Sequence, residues 1–253
     1  MSKIVFITGA SSGFGKAIAE KFAEGGYDLI LNGRREDRLQ ELGNELENRF
    51  NIAVYLLPFD VQQQEKVYAS IHHLPAAWQQ IDILVNNAGL ALGRDYFDEA
   101  SIEDWNVMID TNVKGLLYVS KAVIPFMQKN KKGHIINIGS TAGKEVYEKG
   151  NIYCASKHAV DAISKAMRID LLKDNIKVTV IHPGAAETEF SIIRFKGDEE
   201  TAKKVYDGYQ PLSAADIAQV AFFCTTLPEH VCINDLVITC TSQANSFYTF
   251  KKG

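Results

Sequence analysis

Lys3-Ile4-Val5-Phe6-Ile7-Thr8-Gly9-Ala10-Ser11-Ser12-Gly13-Phe14-Gly15 is the stretch that decides the fold. Its opening residues, up to Thr8, form a short β-branched and apolar run with the composition of a buried strand. Glycines follow at 9, 13 and 15, and helical spacing begins at once, with Phe14, Ile18 and Phe22 on one face before Gly25-Gly26 ends it. Glycines in such a turn let the backbone pass close to a pyrophosphate, whose charge is favoured by the helix N-terminus. Three glycines at fixed spacing recur by chance about once in 3,000 positions, and the same turn can serve as a plain tight connection. Its place between a first strand and a first helix predicts a dinucleotide site in which Thr8, Gly9, Ser11, Gly13, Phe14 and Gly15 hold the phosphates.

Outward from this turn the alternation continues. Asp28–Asn32, Ile52–Leu57 and Ile81–Val85 are further apolar strands, separated by helical patterns at about Glu36–Arg49 and Val61–Leu74. Ser101, with Asp104 three residues on, reads as the N-cap of a long helix reaching towards Gln128. Gly133–Gly139 is a fifth strand, Asn151–Lys173 a helix, and Lys177–His182 a sixth strand stopped by Pro183-Gly184. The polar stretch from Glu187 to about Gly208 reads as an excursion from the sheet, before a helix at Ala214–Thr225 and a strand at Asp235–Thr239. Strands alternating with helices predict an α/β fold, a parallel sheet covered on both faces. No linker, charge block or repeat interrupts it, so residues 1–253 are expected to be a single domain.

Composition narrows the partners. Apolar residues make up 46% and charged residues 23% of the 253, ordinary for a soluble globular chain. A net charge of -4 argues against nucleic acid or an anionic membrane as partner. The opening run is too short for a signal peptide, and no stretch approaches the ~18 apolar residues of a transmembrane helix. Cys154, Cys224, Cys232 and Cys240 form no C-x-x-C pair and have no histidine at zinc-ligand spacing. Free thiols in a reducing, cytoplasmic setting are expected, with no metal site.

The tip of the second strand bears on which dinucleotide binds. It ends Asn32-Gly33-Arg34-Arg35, without the carboxylate that would bind the ribose hydroxyls of NAD. Arginine forks suit a phosphate, so NADP is expected on Arg34 and Arg35, although both could merely cap the sheet edge or pair with Glu36 and Asp37. Asp60-Val61, after the third strand, fits an adenine edge or an ordinary helix N-cap.

Chemistry is suggested further along. Tyr153 and Lys157, four apart, lie on one face of a helix. A lysine ammonium one turn away favours the phenolate and draws the tyrosine pKa down from about 10 towards the working range. Ser140, at the end of the apolar run Ile135–Gly139, can aim its hydroxyl at the same oxygen. Together the three would form a proton-transfer site for a carbonyl or alcohol; alone they are also common residues of a half-exposed helix.

With Thr8–Gly15, Asn86-Asn87-Ala88-Gly89, Asn112, Ser140, Tyr153, Lys157, Pro183-Gly184 and Thr188 in this order, the chain resembles the short-chain dehydrogenase/reductases over essentially its whole length. The resemblance implies a Rossmann-like doubly wound domain with a seven-stranded parallel sheet in the order 3-2-1-4-5-6-7. It also implies roles. Tyr153 would be the acid of carbonyl reduction and the base of the reverse step. Lys157 would lower its pKa and hold the nicotinamide ribose, Ser140 would stabilise the oxyanion, and Asn112 would hold a water linking Lys157 to solvent. Asn86, Ala88 and Gly89 would shape the wall beside the adenosine ribose. Main-chain groups of Pro183 and Gly184, with the Thr188 hydroxyl, would grip the carboxamide and phosphates. A homotetramer packed through helices near 101–128 and 151–173 is implied too.

Leu74–Trp78, Asn86–Gly93, Asn137–Gly143, Thr188-Glu189-Phe190 and Arg194–Asp198 narrow the resemblance to NADP-dependent 3-hydroxy acid dehydrogenases, also named serine 3-dehydrogenases. Small 3-hydroxy acids such as serine, allo-threonine or 3-hydroxypropionate are then the expected substrates, with malonic semialdehyde the type of product. A reductase of another small ketone, sugar or acyl substrate is the alternative, and a non-catalytic nucleotide-binding regulator a third. Arg194 and Lys196, in the excursion over the cleft, could pair with a substrate carboxylate or be solvated beside Asp198 and Glu199. His182 reads as a hydrogen-bonded strand-end histidine and Cys154 as packing.

Overall fold

The computed structural model describes residues 2–252. Its centre is β1 (Ile4–Ile7), an all-apolar strand with every residue buried, which pairs in parallel with β2 (Asp28–Gly33) and β4 (Ile81–Asn86). A strand without a polar face is stable only in a sheet covered on both sides. β3 (Val54–Pro58) extends the sheet beyond β2, while β5 (Gly133–Ile138), β6 (Ile176–Pro183) and β7 (Asp235–Ile238) extend it beyond β4. All seven strands run parallel in the order 3-2-1-4-5-6-7, the doubly wound arrangement expected. Chain direction across the sheet reverses between β1 and β4, where such sheets open a crevice at their carboxyl ends.

The helices are α1 (Gly13–Glu24), α2 (Glu36–Phe50), α3 (Gln64–His72), α4 (Ile102–Ile109), α5 (Leu116–Asn130), α6 (Asn151–Asp170), α7 (Glu189–Arg194), α8 (Glu199–Lys204) and α9 (Ala214–Thr225). Side chains alternate across a strand, so β1 feeds two cores. Val5 and Ile7 pack with Ile18 and Phe22 of α1, Leu39 of α2 and Ala218 of α9. Ile4 and Phe6 face the other way, towards Val67 of α3 and Val119, Val123 and Met127 of α5. No helix among the described residues is long and apolar enough to cross a membrane.

Three local differences bear on the site. The helix expected from Val61 begins at Gln64, because Asp60 Oδ1 accepts the Gln62 amide at 3.0 Å and turns the chain first. The single helix expected from Ser101 is α4 and α5 joined by a π turn at Asp110–Gly115, although Ser101 does cap it, accepting the Asp104 amide at 3.3 Å. Such a turn widens the helix by one residue and is common at functional sites. The polar excursion folds as α7 and α8, capped by Thr188 and Asp198.

Candidate active site

A cleft of about 920 Å³ opens at the carboxyl ends of the central strands, at the upper end of the range for small-molecule sites. Its floor is the glycine turn. Gly9 (φ +65°) and Gly13 (φ +52°) are left-handed, a region open to glycine without a Cβ penalty. Ser11, Gly13 and Phe14 line the cleft with Gly9, while Gly15 packs beneath, where a Cβ would drive into the Gly9 carbonyl. Thr8 also sits behind the wall. Its Oγ1 accepts the amides of Asn87 and Ala88, both at 3.0 Å, and so locks the turns after β1 and β4 together.

Ala88 and Gly89 line the cleft as expected positions, but Asn86 does not. The Asn86 amide is turned into the sheet, donating to Ser120 Oγ at 2.9 Å and Asn137 Oδ1 at 2.8 Å. The residue facing the cleft is Asn87, whose Nδ2 donates to the carbonyls of Thr8 (2.9 Å) and Gly9 (3.2 Å). Strand alternation explains the one-residue correction: β4 ends on Asn86 with its side chain inward.

The two arginines at the tip of β2 diverge. Arg34 lies 3.8 Å from Asp60, which with Val61 lines the cleft; Arg35 turns to the glycine loop, donating to Ser12 Oγ at 2.8 Å and Ser11 Oγ at 3.2 Å. Neither pairs with Glu36 or Asp37. Arg35 instead meets Glu189 at 3.2 Å, and so does Arg38 at 3.0 Å, an arginine not singled out in the sequence. Its spacing is the available signal, since Arg38 is one helical turn beyond Arg35.

Ser140, Tyr153 and Lys157 converge at the far end. Ser140 Oγ accepts the Ala142 amide at 3.1 Å, and Ser140 lines the cleft with Tyr153. Burial pushes the Tyr153 pKa well above its ordinary value and Tyr147 adds to this, while the Ser140 hydrogen bond and Arg194 pull the other way. Lys157 Nζ donates to the Ile138 carbonyl at 2.9 Å, 6.0 Å from the Tyr153 ring centre, and burial lowers its pKa to about 8. Lys157, expected to draw the tyrosine down, lies near the ring, but burial dominates the shift. Its ammonium donates to a backbone carbonyl, and a second cation, Arg194, lies over the same ring with its guanidinium carbon 5.5 Å from the ring centre.

Asn112 sits inside the π turn, out of the cleft. Its Oδ1 accepts the Leu90 amide at 2.8 Å, and its Nδ2 donates to the Leu90 carbonyl (2.8 Å) and Ser156 Oγ (3.0 Å). The side chain thus clamps the turn after β4 to α6.

Pro183, Gly184 and Thr188 line the near wall, with Thr188 over Gly13. The Gly184 amide is already given to the Ile238 carbonyl at 2.8 Å, and Thr188 caps α7. Arg194 enters the cleft and donates to the Tyr147 hydroxyl at 3.1 Å, with no carboxylate partner among the described residues. Lys196 leaves it, paired with Asp104 at 2.8 Å. Its left-handed backbone (φ +55°) carries it away from the cleft.

Behind Ser140 lies fully buried His182, whose ring nitrogen Nδ1 is 2.9 Å from the Ser140 carbonyl. Its Nε2, without a hydrogen-bond partner, faces Asp161 at 3.5 Å and Asp235 at 3.7 Å. These three have the spacing of metal ligands, but the Lys144 ammonium already bridges both carboxylates. Gln243, Ser246 and Phe247 of the carboxyl-terminal tail complete the rim. Gln243 Oε1 accepts the Ala185 amide at 2.8 Å. The tail has no periodicity to mark it and Tyr147 lies in a loop, so the sequence carries no signal for either.

Known proteins share this arrangement. An NADP-dependent 3-hydroxy acid dehydrogenase of Escherichia coli is 46% identical over 242 residues, 95% of this chain and 96% of that protein. Sulfoacetaldehyde reductase 2 of Chromohalobacter salexigens is 43% identical over 249 residues, 98% of each. The closed form of a serine dehydrogenase complexed with NADP+ superposes with a TM-score of 0.91 at 43% identity, covering 99% of this chain and 100% of that one. The family model for short chain dehydrogenases matches residues 3–198, from the first strand to the cap of α8. Both the sequence between those bounds and the sheet that carries it place the chain in the short-chain dehydrogenase family.

Proposed function

We propose that the chain is an oxidoreductase that moves a hydride reversibly between NADP and a small 3-hydroxy acid. The observation that carries the substrate half is Arg194, a guanidinium over the Tyr153 ring in the cleft with no carboxylate partner among the described residues. A substrate carboxylate would complete it in the bidentate geometry arginine favours. The same fork suits a sulfonate, as in the substrate named for the sulfoacetaldehyde reductase.

The residues fit the cofactor. A left-handed glycine turn opens α1, and Arg35 and Arg38 converge beside Ser11 and Ser12, where a ribose phosphate is to be held. When bound, the nicotinamide carries the hydride. The chain's own part is placement and proton transfer. The buried Tyr153 phenol, held protonated, gives its proton to the carbonyl oxygen in reduction and regains it in oxidation. Ser140 Oγ accepts the Ala142 amide, which leaves its own proton to steady the same oxygen. Lys157 is the donor for the ribose hydroxyls, and Asn112 holds the wall of the site through Leu90. A tetramer built on α4–α5 and α6, in the cytoplasm, belongs to the same proposal. Leu117 and Ile169 expose apolar surface on those helices, and a sedimentation mass of one chain would remove the tetramer.

Arg194→Ala is expected to raise KM for 3-hydroxypropionate about 10–100-fold, the loss of a charge-assisted hydrogen-bond pair. Its effect on an uncharged alcohol of the same length should be only a few-fold. Equal losses on both, read as NADPH absorbance, would sink the anion reading.

A further inference from the structure

Glu189 stands at the entrance to α7 and reaches back across the cleft. Its carboxylate accepts from Arg35 Nη1 at 3.2 Å and from Arg38 Nη1 at 3.0 Å. The other arm of the Arg35 fork is on Ser12 Oγ at 2.8 Å and Ser11 Oγ at 3.2 Å. Two arginines on one carboxylate, with two hydroxyls on the other arm of the Arg35 fork, are the groups that a phosphate monoester would take. We infer that Glu189 is an internal anion in the 2′-phosphate seat of the cofactor, a specificity-determining residue whose displacement releases α7. The inference rests on the NADP reading above.

Magnitudes favour displacement. All three side chains are about two-fifths exposed, with relative exposures of 38% for Arg35, 44% for Arg38 and 42% for Glu189. Ion pairs so exposed are screened by solvent and contribute little. A phosphate monoester brings a charge of about -1.5 to -2 and three acceptor oxygens, against one charge and two oxygens for the carboxylate. It therefore takes the arginines from Glu189, whereas a cofactor without the 2′-phosphate leaves the latch closed.

Release matters because the neighbours of Glu189 in the chain touch both ends of the cleft. Thr188, one residue before it, sits over Gly13. Phe190, one residue after it, packs against Tyr153 with ring centres 5.6 Å apart. Arg194 closes the same helix over the same ring. A latch at the first residue of α7 therefore ties the phosphate seat to the wall of the substrate site.

Adenosine 2′,5′-bisphosphate and AMP test this without a nicotinamide. Calorimetry on Glu189→Gln should show the bisphosphate binding about 3–10-fold tighter than to the parent, as expected when a self-competitor worth a few RT is removed. AMP affinity should not change. In the parent protein, amide exchange over 189–194 should quicken with the bisphosphate and not with AMP. Unchanged or weaker bisphosphate binding by Glu189→Gln, or an exchange pattern that ignores the 2′-phosphate, overturns the inference. Should the parent bind bisphosphate and AMP alike, the NADP reading itself fails, and Arg38→Gln, expected to weaken only the bisphosphate, would be equally silent.

Discussion

Tyr153→Phe is expected to lower kcat by about 10²–10⁴-fold, the usual contribution of a placed general acid, with NADPH affinity unchanged. The substitution keeps the ring that packs against Phe190 and lies under Arg194, and removes only the hydroxyl. Ser140, beside it in the cleft, keeps the Ala142 amide as an anchor. The stability change should therefore stay near the ~1 kcal/mol of a single hydrogen bond. Ser140→Ala should cost less than Tyr153→Phe, and the double variant little more than the single, because both groups act on one oxygen. Fluorescence titration with NADPH separates binding from turnover. A variant that binds NADPH normally and still turns over at the parent rate would remove Tyr153 as the acid.

What could be read from the sequence was what local spacing fixes. The glycine turn between strand and helix, the Tyr153–Lys157 pair one turn apart, and the alternation that gives a parallel sheet are all short-range patterns. Features made by distant segments were not legible. Arg38, Glu189 and the rim residue Gln243 come together only once α2, α7 and the tail are folded onto the loop. Asn86 and Asn87 differ by one position, and only the end of β4 decides which faces the cleft. Lys157 is the sharpest case. Its spacing from Tyr153 is correct for one face, yet its ammonium hydrogen-bonds to the Ile138 carbonyl. A flexible side chain chooses its partner from the fold, and spacing cannot say which.

Gly15→Ala is the substitution for which helix propensity and packing disagree most. Alanine is the better helix former by about 0.8–1.0 kcal/mol, and Gly15 lies in the first turn of α1. A Cβ there would be driven into the Gly9 carbonyl oxygen, 2.8 Å from its carbon and 2.5 Å from Asn87 Nδ2. The carbonyl atoms are backbone in a left-handed turn, so they can yield only by opening the loop that cradles the phosphates. Overpacking costs about 1–3 kcal/mol, which exceeds the propensity gain. The expected result is a fall in Tm of several degrees, at ~2–4 °C per kcal/mol for a chain of this size. A further loss of at least ~10-fold in NADPH affinity should follow, corresponding to about 1.4 kcal/mol. Gly43→Ala is the control within α2. Its Cβ would meet only Leu56 Cδ2 at 3.2 Å and Val54 at 3.3 Å from Cγ1, atoms of side chains that can turn aside. It should leave NADPH affinity unchanged and stability nearly so. If Gly15→Ala matched Gly43→Ala in both Tm and NADPH affinity, the close approach of α1 to the glycine loop would not be what shapes the phosphate site.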